Sequence, residues 1–205
     1  MPLSCRAMLL ALALLPAAAA TAQEPQAISP DPPEGYPWVL GEASISLDGA
    51  PRSYTTFDFS IGAFDASVQF RDHYDCSGDG SCKATGRFLL SLGAYPDGNP
   101  DAEADIVVVQ GIFDKLPDGP KRTRNVTVEI RNLGGQSDRS LMAKGPAKLT
   151  LTSVKRGKDG SDSYGRLSAT VTARVCEARD EALIPGGACH DFKAIYETDV
   201  QYDSV

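Results

Sequence analysis

An unbroken apolar row at every second position, Leu167, Ala169, Val171, Ala173 and Val175, set against Arg166, Ser168, Thr170, Thr172 and Arg174, constrains this chain more than any other feature. Only a strand places residues i, i+2 and i+4 on one face, so the segment reads as a strand with one dry and one wet side, the pattern of antiparallel sheets. The same period recurs. Ala43, Ile45 and Leu47 alternate with Glu42, Ser44 and Ser46 up to the turn dipeptide Asp48-Gly49. Phe57, Phe59 and Ile61 oppose Tyr54, Thr56 and Asp58, which makes the aromatic row the expected core face. Phe64, Ala66, Val68 and Phe70 oppose Asp65, Ser67, Gln69 and Arg71, and Val126, Val128 and Ile130 oppose Thr127, Glu129 and Arg131. In the last strand Phe192, Ala194, Tyr196, Val200 and Tyr202 share a side.

Phe88-Leu89-Leu90-Ser91-Leu92 and Ile106-Val107-Val108-Val109 are apolar on both faces, which predicts central or doubly covered strands. No 3.6-residue stripe is long enough for a major helix. About nine or ten strands, separated by Gly, Asp, Pro and Asn clusters such as Lys158-Asp159-Gly160-Ser161, give an all-β class. The expected arrangement is an antiparallel β-sandwich, with a closed calyx-like barrel as the alternative.

The N-terminus has the form of a signal peptide over residues 1–22: one charge at Arg6, an apolar run from Ala7 to Ala20, and the small residues Ala20 and Ala22 before Gln23. Residues 23–37, with Pro25, Pro30, Pro32, Pro33 and Pro37, read as an extended lead-in, and 38–205 as a single all-β domain. This predicts export to the periplasm or the extracellular space, with no integral membrane segment left in the mature chain. Cleavage removes Arg6 and takes the formal charge from −7 to −8, which argues against nucleic acid or an anionic membrane surface as partner.

Beyond the leader four cysteines remain, Cys76, Cys82, Cys176 and Cys189, and an even number in an exported chain implies disulfides. Each adjacent pair brackets one short Gly-containing loop, which favours Cys76–Cys82 and Cys176–Cys189. Cys176 continues the polar face of Arg166 to Arg174, and Cys189 shares the face of Asp191, Lys193, Glu197, Asp199 and Gln201. Parity therefore predicts a cross-strand staple with both sulfurs on the solvent side.

No catalytic or phosphate-binding motif occurs around the two histidines, His73 and His190, or elsewhere in the chain. The loop holding His73, Asp75, Cys76, Asp79 and Cys82 has metal-ligand residue types, but zinc needs thiolates that an oxidising compartment removes. Asp97, Asn99, Asp101 and Asp105 present hard oxygen ligands at alternate positions, the first half of a calcium loop. Ala102 then stands where the loop needs glycine, and Val108 where it needs a bidentate glutamate. Calcium is the one cofactor these residues suggest.

By parity Tyr54, Tyr74, Tyr95 and Tyr164 fall on outward faces or loops, where aromatics serve glycan or protein contacts. Trp38 reads as a plug at one end of the core. The sequon Asn125-Val126-Thr127 is incidental if the alanine-rich leader is bacterial. The expectation is an exported, non-catalytic protein with a binding or structural role, its partner a protein or glycan. Two alternatives stand beside it. One is a barrel-type carrier of an apolar ligand, with a cavity lined by Phe57, Phe59, Val68 and Phe88. The other is a hydrolase assembled across loops, with His73 or His190 as base and a nearby carboxylate as orienter.

Overall fold

The computed structural model describes residues 37–59, 68–78, 80–156 and 164–202. The leader, the proline-rich lead-in through residue 36, Ile61, the Phe64–Ala66 stretch, Asp79 and the 158–161 turn lie outside the described residues.

Twelve strands follow one another: β1 (Trp38–Leu47), β2 (Ala50–Asp58), β3 (Val68–Cys76), β4 (Cys82–Pro96), β5 (Ile106–Phe113), β6 (Lys121–Thr123), β7 (Val126–Arg131), β8 (Arg139–Ala143), β9 (Lys148–Arg156), β10 (Tyr164–Arg179), β11 (Ala182–Leu183) and β12 (Cys189–Tyr202). A single 3-10 turn at Leu133–Gly135 interrupts them. The count exceeds the expected nine or ten in part because β6 and β11 hold three and two residues, too few to display a period.

The longest ladder joins β10 and β12 from Tyr164↔Gln201 to Cys176↔Cys189. On one side of it lie β1 and β2, and on the other β9 pairs the first part of β10. A second group, β3-β4-β5-β7, is joined by antiparallel ladders. Short ladders connect the groups: β2 to β4 through Tyr54↔Pro96 and Thr55↔Tyr95, and β7 to β8 through Glu129↔Met142 and Ile130↔Leu141, with β8 continuing onto the far end of β10. The pairing thus runs a closed circuit round one core, a sandwich-like or barrel-like all-β fold. The sheet is mixed, because β3 meets the end of β12 in parallel at Gln201↔Gln69 and Tyr202↔Phe70.

Alternation builds the core as expected along β10 and β12. Leu167, Ala169, Val171 and Val175 from one strand meet Phe192, Ala194, Tyr196 and Val200 from the other, all buried. Small residues oppose large ones: Ala43 and Ala169 are the register partners of Tyr196 on its two sides, which leaves room for the ring. β4 and β5 are central strands, as their two apolar faces predict, with Leu90, Leu92, Val107 and Val109 fully buried.

β2 is covered on both faces at its far end, where alternation predicts one dry face. Tyr54, Thr56 and Asp58 are 5%, 0% and 4% exposed, and Phe57 on the other face is 3% exposed. Phe57 and Phe59 instead pack with Tyr95 in a separate cluster, ring centroids 5.1 to 6.0 Å apart, beneath Ala102 and Ile106. Partners make the polar burial tolerable. The Thr56 and Thr198 hydroxyls lie 2.6 Å apart, and the Tyr164 hydroxyl donates to Asp58 Oδ2 at 2.8 Å. Burial, reinforced by that carboxylate, raises the Tyr164 phenol to about 12. The expected outward placement fails for Tyr54 and Tyr95, both buried, and holds for Tyr74 and Tyr164.

Both disulfides form as the loop argument predicts, Cys76–Cys82 and Cys176–Cys189. The solvent-side placement needs correction at Cys176, which is 2% exposed. Residues 184–188 fold back over this end of β10, with Ile184 N–H donating to the Glu177 carbonyl and Glu177 N–H to that of Ala188. Two disulfides suit an oxidising, exported setting, and no helix among the described residues is long and apolar enough to cross a membrane.

Candidate functional site

The outer face of β3, β4, β5 and β7 carries a pocket of about 680 Å³. Register builds its floor. Arg71 stands opposite Leu89, Leu89 opposite Ile112, and the Ile112 N–H donates to the Asn125 carbonyl, so one row crosses three strands and reaches the residue just before β7. Two residues along, Gln110 stands opposite Thr127. With neighbouring strands roughly 4.8 Å apart, the row from Arg71 to Asn125 spans roughly 14 Å. Leu89 and Ile112 give an apolar centre, and the groups around it donate and accept hydrogen bonds. His73, Tyr74 and the Cys76–Cys82 bridge form the wall at the hairpin end.

A bulge positions that wall. Between Asp72↔Phe88 and Tyr74↔Ala84 the β4 side advances by two extra residues, and Gly86 takes φ of 71° within the excess. The bulge aims Thr85 at His73. Its hydroxyl donates to the His73 carbonyl at 2.9 Å and accepts from the Arg87 N–H at 3.3 Å, and His73 Nδ1 lies 3.0 Å away. The hydroxyl thus sits among three polar partners and holds the His73 ring against the bulge. Asp75 lies 3.8 Å from both His73 and Arg87.

The residues proposed for metals distribute differently. Cys76 and Cys82 are bonded to each other and offer no thiolate. Asn99 Oδ1 accepts from the Asp101 N–H, and Asp105 Oδ1 from the Gly134 N–H. Asp97 and Asp105 both face Arg52, at 4.0 and 3.8 Å. The calcium candidates Asp97, Asn99, Asp101 and Asp105 therefore serve the turn between β4 and β5, and no group of three His, Cys, Asp or Glu side chains among the described residues gathers as a metal site.

His190 lies away from the pocket. Its Nδ1 donates to Asp48 Oδ2 at 2.8 Å, while the Asp191 N–H donates to Asp48 Oδ1 at 2.8 Å. The His190 hydrogen bond, followed by that of Asp191, holds the Asp48 carboxyl below the ordinary carboxylate range. Asp48 also gives its own N–H to the Asp191 carbonyl, so this base-and-orienter pair locks the β1–β2 turn onto β12. The four residues expected to line a calyx do not share a wall: Phe57 and Phe59 lie in the outer aromatic cluster, Val68 in the main core, and Phe88 is half-buried on β4.

Sequence reading singled out His73 but missed Arg71, Leu89, Gln110 and Ile112 as site residues. The available signal was the second apolar face of Phe88–Leu92, which places Leu89 on the outside of the sheet beside Arg71. The chain matches no protein-family model, no curated protein and no solved structure.

Proposed function

We propose that this is an exported, non-catalytic binding protein that takes up a small molecule on the outer face of β3, β4, β5 and β7. The make-up of the pocket carries the reading: an apolar centre of Leu89 and Ile112 within a ring of Arg71, His73, Gln110, Asn125 and Thr127. Convergent polar groups about an apolar floor can orient a small molecule, and the volume lies in the usual range for such pockets. The leader-like N-terminus and the two disulfides support a periplasmic or extracellular location.

Two-dimensional amide NMR of the oxidised protein against a mixed library of small acids, amides, amines and short glycans tests the reading. Saturable shifts grouped at residues 71, 89, 110, 112 and 127, abolished by Ile112→Glu, are expected. Shifts confined to the exposed Tyr74 and the hairpin tip would move the site there, and shifts grouped at His190 would sink the assignment.

A further inference from the structure

Arg71 is the feature of this pocket that ordinary surface chemistry leaves unexplained. Three other arginines among the described residues are half-buried, and each holds a carboxylate: Arg87 with Asp75 at 3.8 Å, Arg131 with Glu129 at 2.8 Å and Arg139 with Glu177 at 3.1 Å. The exposed Arg52, Arg166, Arg174 and Arg179 are also paired. Arg71 is half-buried in β3 and lines the pocket, and its guanidinium makes no ion pair or hydrogen bond with any described residue. A partly desolvated guanidinium with five unused donors presents a planar fork suited to a carboxylate, and such bidentate pairs are among the stronger hydrogen bonds proteins make.

We infer that the pocket takes a small organic anion: a carboxylate held by Arg71, with an apolar body lying over Leu89 and Ile112 and its far end toward Asn125 and Thr127. The inference rests on the binding reading above and names its ligand class. Register fixes the order of these contacts, since Arg71, Leu89 and Ile112 occupy neighbouring positions of one cross-strand row. With strands roughly 4.8 Å apart, the guanidinium and the middle of the apolar strip lie within the length of a bicyclic aromatic acid. Asp72 also lines the pocket and would favour a cation instead. Asp75, nearby, is already faced by Arg87.

Three matched probes separate these outcomes on the oxidised, full-length mature chain: naphthoate, naphthamide and naphthylmethylamine, each titrated while the amides of residues 71, 89, 110 and 112 are followed. Naphthoate is expected to bind roughly ten-fold or more tightly than naphthamide, the difference a charge-assisted pair makes over a neutral one. Arg71→Met should erase that preference, with the unliganded amide positions of residues 89, 110 and 112 reporting that the pocket is intact. Arg71→Lys should retain part of it. Equal or tighter binding of naphthamide or of the amine would overturn the anion inference while the pocket stands, and the unaltered protein gives that answer even if the variants fail to fold. No response of the pocket amides to any of the three at millimolar concentration would overturn both readings.

Discussion

On the outer face of β10 and β12 the polar groups are matched across the ladder. Arg166 stands opposite Asp199 at 3.2 Å, the Ser168 hydroxyl donates to Glu197 at 2.6 Å, and Arg174 meets Asp191 at 2.7 Å. On the outer face of β3, β4, β5 and β7 the equivalent row runs Arg71, Leu89, Ile112, Asn125, with no such matching. Both faces arise from the same alternation. The first makes three such pairs across the ladder. The second leaves a cation and an apolar strip side by side, the feature on which the binding proposal rests. The halves differ inwardly too, since the β10–β12 ladder is the longest in the molecule, whereas the β3–β4 hairpin is interrupted by a bulge and ends in an exposed tip.

The sharpest way to break this comparison is to truncate one side chain in each half and measure stability by chemical denaturation. Tyr196→Ala, at the fully buried centre of β12, should cost about 3–5 kcal/mol. Leu89→Ala, on the half-buried pocket floor, should cost less than about 1 kcal/mol while weakening any pocket ligand. Comparable losses would mean that the floor is core and the pocket incidental.

Removing the bridges comes next. Cys176→Ser with Cys189→Ser should lower stability by roughly 3 kcal/mol and Cys76→Ser with Cys82→Ser by roughly 2 kcal/mol, following the loop lengths in the chain-entropy picture. The burial of Cys176 should widen the gap, and thermal or denaturant midpoints read it directly. A larger loss from the Cys76–Cys82 pair would show that the hairpin tip carries weight the ladder comparison denies it.

A smaller effect sharpens the picture of the interior. The Tyr196 hydroxyl is buried without a hydrogen-bond partner. Tyr196→Phe should therefore be neutral or stabilising by up to about 1 kcal/mol, in contrast with the alanine variant at the same position. A loss of more than that would reveal a partner for the hydroxyl.

The smallest effect is one of pH. The Asp48 carboxyl is depressed in the folded state by His190 and the Asp191 N–H, so its contribution is present above the ordinary carboxylate value of about 3.9 and is lost as pH falls through the lower folded value. Asp48→Asn should make stability fall less steeply on acidification below about pH 4, measured by thermal midpoints across an acid series. An unchanged acid slope would mean that the turn lock contributes nothing.

Much of this architecture was legible in the residues, and its failures share a cause. Alternation identifies two faces but does not say which is inside, because direction depends on what later covers each face. Along β10 and β12 the apolar row settled the matter. Along β2 it misled, since Phe57 and Phe59 are sheltered by the loop after β4, and Thr56 and Asp58 find partners from β12 and β10 that no local pattern announces. The disulfides were readable because each spans a short loop. The pocket was not, because Arg71, Leu89 and Ile112 come from three strands, Asn125 from the residue before a fourth, and they meet only through register.

The ladders that join the two halves are brief: two residue pairs between β2 and β4, two between β7 and β8, and two where β3 runs beside β12. At one of them Pro96 has no N–H to offer its partner. Amide protons along these seams should exchange with solvent through partial openings well below the global unfolding energy, while those in the middle of β10 and β12 wait for complete unfolding. The molecule would then breathe as two leaves, with the leaf that carries the pocket able to loosen from its neighbour without either one melting.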